Sequence, residues 1–171
     1  MTLLLESVPA VAWQPVGDVA WPDVHAPLVY VQRMLERPRD NQRVTAHLAL
    51  FRSEAYRLTV LDLGADTEAR RATLPEAFRQ AGLVAGVNGG FFHPDWRPLG
   101  LMIAEGHRSN RFETTRLLSG VLYSDARGVH LVRRGRFQDH PGIDALVQSG
   151  PYLVENGRAV RGLSARDSSK R

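Results

Sequence analysis

The residues best suited to chemistry lie in a stretch that begins Asn88-Gly89-Gly90 and continues with Phe91 and Phe92. Glycine accepts positive φ at little steric cost, so two glycines allow a sharp turn after an apolar run. Successive N–H groups in such a turn can bind an anion, and the Asn88 amide adds a donor and an acceptor at its rim. We expect the two phenylalanines to anchor the turn in the core. An ordinary hairpin turn explains Asn-Gly equally well, so both interpretations stay open.

A polar loop follows, in which His93, Asp95 and Arg97 stand close together. A His-Pro-Asp loop can hold an acid/base pair or a metal ion, although exposed loop residues of these types are mostly solvated. The other histidines show no metal-ligand spacing, and the chain has no cysteine, which excludes disulfides and thiolate metal sites. We therefore predict no metal site and no cofactor, with a divalent cation as the alternative left open.

Overall composition describes one globular domain that neither crosses a membrane nor binds nucleic acid. The 43% apolar and 23% charged residues are close to globular averages. No apolar run reaches the roughly 18 residues of a membrane helix. The net charge of +4 comes from scattered arginines, whereas nucleic-acid binding favours a basic cluster.

The elements that must position these residues are mostly strands. We predict strands beginning at Leu28, Val44 and Tyr56, of which the second has Val44, Ala46, Leu48 and Leu50 on its inner face. One helix is predicted over 73–82, with Thr73 as its cap and Gly82 as its stop. A buried central strand is predicted at 83–87. Further strands are predicted in five segments: 99–104, 119–124, 128–133, 145–150 and 151–157, the last with a turn at Asn156-Gly157. The pattern predicts an α+β fold with a mixed or antiparallel sheet and few helices.

Three segments together resemble the phosphodiester glycosidase family. They are Asn88-Gly89-Gly90-Phe91-Phe92, Pro98-Leu99-Gly100-Leu101 and Gln148-Ser149-Gly150-Pro151. The resemblance runs from about Val44 to the last residue. The best-known members of this family remove N-acetylglucosamine from a sugar-1-phosphodiester and uncover a phosphomonoester. They continue into an arginine segment and an Asp-Gly-Gly-Gly-Ser segment, whereas this sequence has only Arg171 at the first place and lacks the second. We therefore expect the C-terminal part of the domain to be missing.

The resemblance implies a site as well as an activity. The predicted catalytic residues are Asn88, Asp95, Gln148 and Arg171. The predicted substrate-binding residues are Gly89, Gly90, His93 and Ser149. For Gln148 and Ser149 the alternative is a plain turn without any role in binding.

The resulting hypothesis is a hydrolase that cleaves the glycosidic C–O bond of sugar-1-phosphodiesters. The alternative is a non-catalytic module that binds glycans or belongs to the cell envelope. Either way the expected partner is a carbohydrate or a sugar phosphate. The resemblance implies a periplasmic or secreted protein whose leader is not in this chain. Residues 1–27, which contain three prolines, are predicted to form an irregular arm before a domain at 28–171.

Overall fold

The computed structural model describes residues 13–17, 26–62 and 74–160. The chain divides into two compact units, residues 1–55 and residues 56–171. Most of the predicted arm at 1–27 lies outside the described residues, so the division into an arm and a domain at 28–171 stays a prediction.

The first unit is a three-stranded antiparallel sheet with the order β1-β2-β3. Its strands are β1 (Gln14–Pro15), β2 (Leu28–Arg37) and β3 (Gln42–Phe51). β2 and β3 pair along their whole length, from Leu28 opposite Phe51 to Arg37 opposite Gln42. Asn41 has a φ of 53° in the connecting turn, a conformation that asparagine tolerates better than most residues. Both strands predicted here are confirmed.

The second unit begins, among the described residues, with helix α1 (Leu74–Gln80). Gly82 has a φ of 64°, its N–H bonds to the carbonyl of Arg79, and the N–H of Leu83 bonds to that of Phe78. These two bonds form a Schellman motif, so the predicted glycine stop is confirmed. The predicted cap Thr73 lies outside the described residues.

A five-stranded sheet forms the body of the second unit, with the order β5-β4-β8-β6-β7 and only antiparallel pairs. The five strands are β4 (Met102–Ala104), β5 (His107–Ser109), β6 (Gly120–Asp125), β7 (Gly128–Arg133) and β8 (Ala145–Ser149). A short 3-10 helix (Arg134–Arg136) follows β7. Although β8 is the last of these five strands in the sequence, it lies in the middle of the sheet.

A small hairpin, β9 (Val154–Glu155) and β10 (Arg158–Ala159), follows the sheet. Its two turn residues, Asn156 and Gly157, have φ of 50° and 72°. Positive φ at both positions is what the twist of a two-residue hairpin requires. The turn predicted at Asn156-Gly157 is confirmed.

The hydrophobic core packs around the middle of the five-stranded sheet. Its buried side chains come from β4, β6, β8 and the segments beside them: Leu101, Ile103, Val121, Ile143 and Leu146. Phe112, Tyr123, Val132 and Phe137 pack against this cluster. Burial of so many large apolar groups is the main favourable term for this unit.

Two predicted strands are wrong. Residues 56–62 alternate in exposure but pair with no strand among the described residues, because alternation marks extended chain and does not supply a partner. Residues 83–87 are not a buried strand, since Val84 and Val87 are 64% and 87% exposed. Instead, Gly86 lies against the helix: a Cβ there would be 2.2 Å from Cζ of Phe78. Gly86 of this apolar run therefore packs on the ring of Phe78.

The prediction of a sheet-rich fold is confirmed, and of the two predicted alternatives, a mixed or an antiparallel sheet, the described strands form antiparallel sheets. The α+β class stays a prediction, because the described residues contain a single α-helix of seven residues. Within the described part of the chain, no helix has the length and apolar character needed to cross a membrane.

We expect Leu146→Ala to destabilise the second unit by about 2–5 kcal/mol, because Leu146 is fully buried and truncation leaves a cavity. Urea denaturation followed by circular dichroism measures this loss. The matched control is Leu131→Ala, on a side chain that is 61% exposed, for which the loss should stay below about 1 kcal/mol. Equal losses for the two variants would contradict the assigned core.

Candidate functional site

Two glycine-containing segments lie directly against the central strand β8. A Cβ on Gly90 would be 3.1 Å from both the carbonyl oxygen of Gln148 and Cγ1 of Val147. A Cβ on Gly100 would be 3.0 Å from Cβ and Oε1 of Gln148. These contacts are closer than side chains normally allow, so glycine at 90 and 100 lets both segments approach the strand.

A third glycine closes the same region from the end of β8. A Cβ on Gly150 would be 2.2 Å from the carbonyl oxygen of Leu117 and 2.8 Å from the backbone nitrogen of Ser119. The Ser119 hydroxyl accepts a hydrogen bond from the N–H of Tyr152 at 2.8 Å. The chain after β8 is therefore held against residues 117–119 by backbone packing that excludes a side chain at 150.

The Asn88-Gly89-Gly90 segment does not form the predicted sharp turn. Neither glycine is among the residues with positive φ, so the glycines serve close approach rather than chain reversal. Of the two predicted anchors, Phe91 is half-buried, whereas Phe92 is 56% exposed and stacks on Trp96 at 5.0 Å. Asn88 is exposed at the start of this segment.

Chain reversal occurs five residues later, in the loop from His93 to Arg97. The N–H of His93 bonds to the carbonyl of Arg97 at 2.8 Å, and Phe92 pairs with Pro98. The Asp95 carboxylate accepts bonds from the Arg97 N–H at 3.2 Å and from its Nε at 2.7 Å. The bond from the Arg97 side chain lowers the pKa of Asp95. Asp95 thus stays ionised and stabilises its own loop, and its predicted catalytic role stays a prediction.

Gln148 has the most extensively bonded side chain of the region. Its Oε1 accepts from the N–H groups of Leu101, at 3.1 Å, and Glu113, at 2.9 Å. Its Nε2 donates to the carbonyls of Glu113, at 2.6 Å, and Leu118, at 3.2 Å. The residue is 2% exposed, and these four bonds use the full capacity of an amide. A direct catalytic role for Gln148 stays a prediction, and it would require the side chain to leave these bonds.

An open cleft of about 510 Å³ lies where the 93–97 loop meets the segment after β5. Its polar lining consists of His93, Asn110, Arg111, Glu113 and Thr115, and Leu99 and Leu118 add apolar surface. The lining is therefore mainly polar, and its carboxylate, guanidinium, imidazole and amide can form hydrogen bonds with a polar ligand.

The polar wall of the cleft, residues 110–115, is held by hydrogen bonds between side chains and the backbone. Both the N–H and the carbonyl of Glu113 bond to the Gln148 amide. The Arg134 guanidinium donates to the carbonyls of Thr114 and Thr115, and the Asn110 amide donates to that of Pro98. Because most of these bonds use backbone atoms, the wall is positioned without occupying the Glu113 side chain.

One ion pair dominates the charge of the cleft. Nε of Arg111 donates to Oε1 of Glu113 at 2.7 Å. This bond raises the pKa of Arg111. The Glu113 side chain is 22% exposed and that of Arg111 is 84% exposed. The Glu113 carboxylate therefore lies against the wall of the cleft, while the Arg111 guanidinium extends into solvent.

The structure brings some of the predicted residues together and leaves others apart. His93 lines the cleft, Gln148 lies behind its wall, and Gly90 packs on β8. Ser149 ends β8 opposite Gly120, and a Cβ on Gly89 would lie 3.9 Å from Cγ2 of Val147. Arg171 lies outside the described residues.

Sequence reasoning missed four polar lining residues: Asn110, Arg111, Glu113 and Thr115. The available signal was the run Ser109 to Thr115, in which asparagine, arginine, glutamate and threonine stand between two apolar segments. Within 13–17, 26–62 and 74–160, no group of three or more histidine, aspartate or glutamate residues could hold a metal ion.

Comparison with known protein families gives a match to the part of the chain that contains the cleft. The phosphodiester glycosidase family model matches residues 81–171, just over half of the sequence. No curated protein and no solved structure matches the chain. The match contains all three glycine motifs and the cleft residues, but it starts later than the Val44 at which the resemblance was predicted to begin.

We expect Gly150→Ala to destabilise the second unit by about 3 kcal/mol, because the new Cβ meets the Leu117 backbone, which cannot rotate away. Gly135→Ala is the matched control, since a Cβ there meets nothing within 4 Å and should change stability by less than about 0.5 kcal/mol. Thermal unfolding of both variants measures the difference. A neutral Gly150→Ala would contradict the packing described at 117–119.

We expect Gln148→Met to lower the free energy of unfolding by roughly 3 kcal/mol or more, because it conserves size but leaves four buried backbone groups unpaired. Gln148→Glu should also be destabilising, since a carboxylate cannot donate to Glu113 and Leu118.

Denaturant titration of the Gln148 variants, with the exposed Gln42→Met as control, provides the measurement. A loss below about 1 kcal/mol for Gln148→Met would show that the amide does not hold these segments together.

Proposed function

Because the chain belongs to the phosphodiester glycosidase family, we propose that it hydrolyses the bond between a sugar and a phosphodiester, releasing the sugar and a phosphomonoester. N-acetylglucosamine is the proposed sugar. The observation that carries the proposal is the cleft in which Arg111 and Glu113 stand side by side. The Arg111 guanidinium is suited to binding a phosphate, and the Glu113 carboxylate is suited to stabilising charge at the reacting sugar carbon.

The proposed reaction breaks the C1–O bond of the sugar. Water attacks the anomeric carbon, the electron pair of the breaking bond moves to the phosphate oxygen, and the water proton passes to a base. The transition state resembles an oxocarbenium ion, which a nearby carboxylate stabilises. Since the phosphate is a good leaving group, groups that neutralise its charge replace a strong acid at that position.

We assign the carboxylate role to Glu113. Its backbone is bonded on both sides to the Gln148 amide, while its carboxylate lies in the lining of the cleft. Bonds to Gln148 fix the backbone of Glu113, so its side chain starts from a defined place as the substrate enters, and a preorganised charge needs less reorganisation. In this scheme Glu113 accepts the proton of the attacking water, and Gln148 is a positioning residue.

We assign phosphate binding to Arg111. Its bond to Glu113 uses Nε, so that bond does not involve the two Nη groups. A guanidinium presents donors in a fork that matches two phosphate oxygens. With the Arg111 side chain 84% exposed, the guanidinium can turn toward a phosphate at the mouth of the cleft.

The remaining predicted residues fit the periphery of this scheme. His93 and Asn110 line the cleft and can donate hydrogen bonds to sugar hydroxyls. Gly89, Gly90 and Ser149 are proposed substrate contacts on the segments that border β8, and Asn88, Asp95 and Arg171 are proposed further catalytic groups. A periplasmic or secreted location is proposed from the family resemblance.

We expect Glu113→Gln to lower kcat for methyl N-acetylglucosamine-1-phosphate by about 100-fold or more, because the amide keeps the size of the side chain but cannot accept the proton. Release of free N-acetylglucosamine measures the rate. Arg111→Ala should mainly raise KM, by about 10-fold, with partial recovery in Arg111→Lys. The control is Glu54→Gln, since Arg52 and Glu54 form an exposed pair with the same spacing in the first unit.

Hydrolysis in ¹⁸O-labelled water identifies the bond that breaks. Label in the released sugar supports C–O cleavage, whereas label in the phosphomonoester would contradict the proposed chemistry. A parent chain that binds the phosphodiester but produces no free N-acetylglucosamine would favour the non-catalytic module instead. Unchanged kcat in Glu113→Gln would remove Glu113 from the proposed role.

A further inference from the structure

A second surface with the character of a binding site lies in the first unit, on one face of the β2–β3 hairpin. Alternate residues of paired strands share a face, so the register places Tyr30, Gln32 and Met34 of β2 beside Ala49, His47 and Thr45 of β3. All six are exposed. We call this set the hairpin face. It is about 14 Å long between Tyr30 and Met34, at the usual rise of a strand.

The centre of the hairpin face is an aromatic and amide cluster. The Tyr30 hydroxyl bonds to Nδ1 of His47 and accepts from Nε2 of Gln32, at 3.1 Å for the latter. The Tyr30 and His47 rings stack with their centroids 6.0 Å apart. Tyr30 is nevertheless 61% exposed. A large aromatic ring is thus held in one orientation while most of its surface stays accessible.

The hairpin face is uncharged along its length. Along the same side of the hairpin, the register next places Glu36 opposite Arg43 at the turn end, and these two side chains form an ion pair at 2.6 Å. At the opposite end the register continues with Leu28 and Phe51, which are apolar. In a chain of net charge +4, a surface without free charge is suited to a neutral ligand rather than to a phosphate or a nucleic acid.

We propose that the hairpin face binds a neutral glycan chain. The apolar C–H face of a pyranose ring packs on the exposed ring of Tyr30, and sugar hydroxyls bond to Oε1 of Gln32 and Nε2 of His47. Neither atom takes part in the two bonds that orient Tyr30. The Tyr30 ring offers apolar surface, and the polar groups beside it offer hydrogen bonds, so the cluster presents both kinds of contact to a sugar. The surface lies outside residues 81–171 and stands independently of the proposed hydrolase.

The hydrogen-bonding centre favours a glycan over a second copy of this chain. A dimer formed through a sheet face gains its stability from burial of apolar side chains. On the hairpin face the central pair is Gln32 opposite His47, with Thr45 beyond them. These polar groups would lose water in a dimer, whereas sugar hydroxyls replace the water with equivalent hydrogen bonds.

Affinity electrophoresis of the full 171-residue chain tests the proposal, with hydroxyethyl cellulose and glycol chitin as the neutral polymers and carboxymethyl cellulose as the anionic one. We expect at least one neutral polymer to retard the parent. Tyr30→Ala should weaken that binding 10-fold or more, and His47→Ala about threefold. Tyr30→Phe keeps the ring and should lose no more than threefold. The exposed residue Leu131 supplies the control, since Leu131→Ala should migrate as the parent does.

Circular dichroism and gel filtration of each variant separate binding from folding and association. Retardation lost in Tyr30→Ala but kept in Tyr30→Phe, with unchanged spectra, supports the proposal. Retardation by neither neutral polymer, or by carboxymethyl cellulose alone, would overturn it. The proposal also fails if Tyr30→Ala is retarded as strongly as the parent, or if the only effect of that substitution is to abolish a dimer.

Discussion

The second unit depends on one buried amide. Through its four hydrogen bonds, Gln148 joins the strand β8 to three other parts of the chain, at Leu101, Glu113 and Leu118. A buried amide is favourable only when all of its donors and acceptors are paired, and here they are. The loops that Gln148 joins contain few residues of regular structure. The hydrogen bonds of the amide therefore hold these loops together, as strand pairing holds the sheet.

Packing on or beside the same strand explains the glycines in the three motifs. Gly90 and Gly100 allow two segments to approach Gln148 and Val147, and Gly150 lets the chain leave β8 against residues 117–119. In each case the physical constraint is space for a neighbouring atom, not a turn: backbone atoms crowd Gly90 and Gly150, and the Gln148 side chain crowds Gly100. The central strand, its amide and the three glycines therefore act as one packing unit that supports the wall of the cleft.

The separation of support and chemistry explains how the cleft is organised. The wall from Asn110 to Thr115 is held mainly through carbonyl and N–H groups, while the side chains of Arg111 and Glu113 line the open side. These side chains can interact with a ligand without disturbing the supporting bonds. The hairpin face in the first unit has a comparable division, since backbone pairing holds the strands and side chains present the uncharged surface.

Local patterns in the amino-acid sequence were enough for features that depend on a few neighbouring residues. These include the two long strands of the hairpin, the glycine that ends α1, the Asn156-Gly157 turn and the three motifs of the family. Tertiary structure alone decided the rest. The run 83–87 does not enter the sheet, and its Gly86 packs on Phe78. Gly90 serves close approach instead of reversal. Glu113 reaches the cleft because Gln148, 35 positions along the chain, bonds to its backbone. Such pairings join residues that are far apart in sequence, and no local periodicity encodes which partner a buried amide or a glycine will meet.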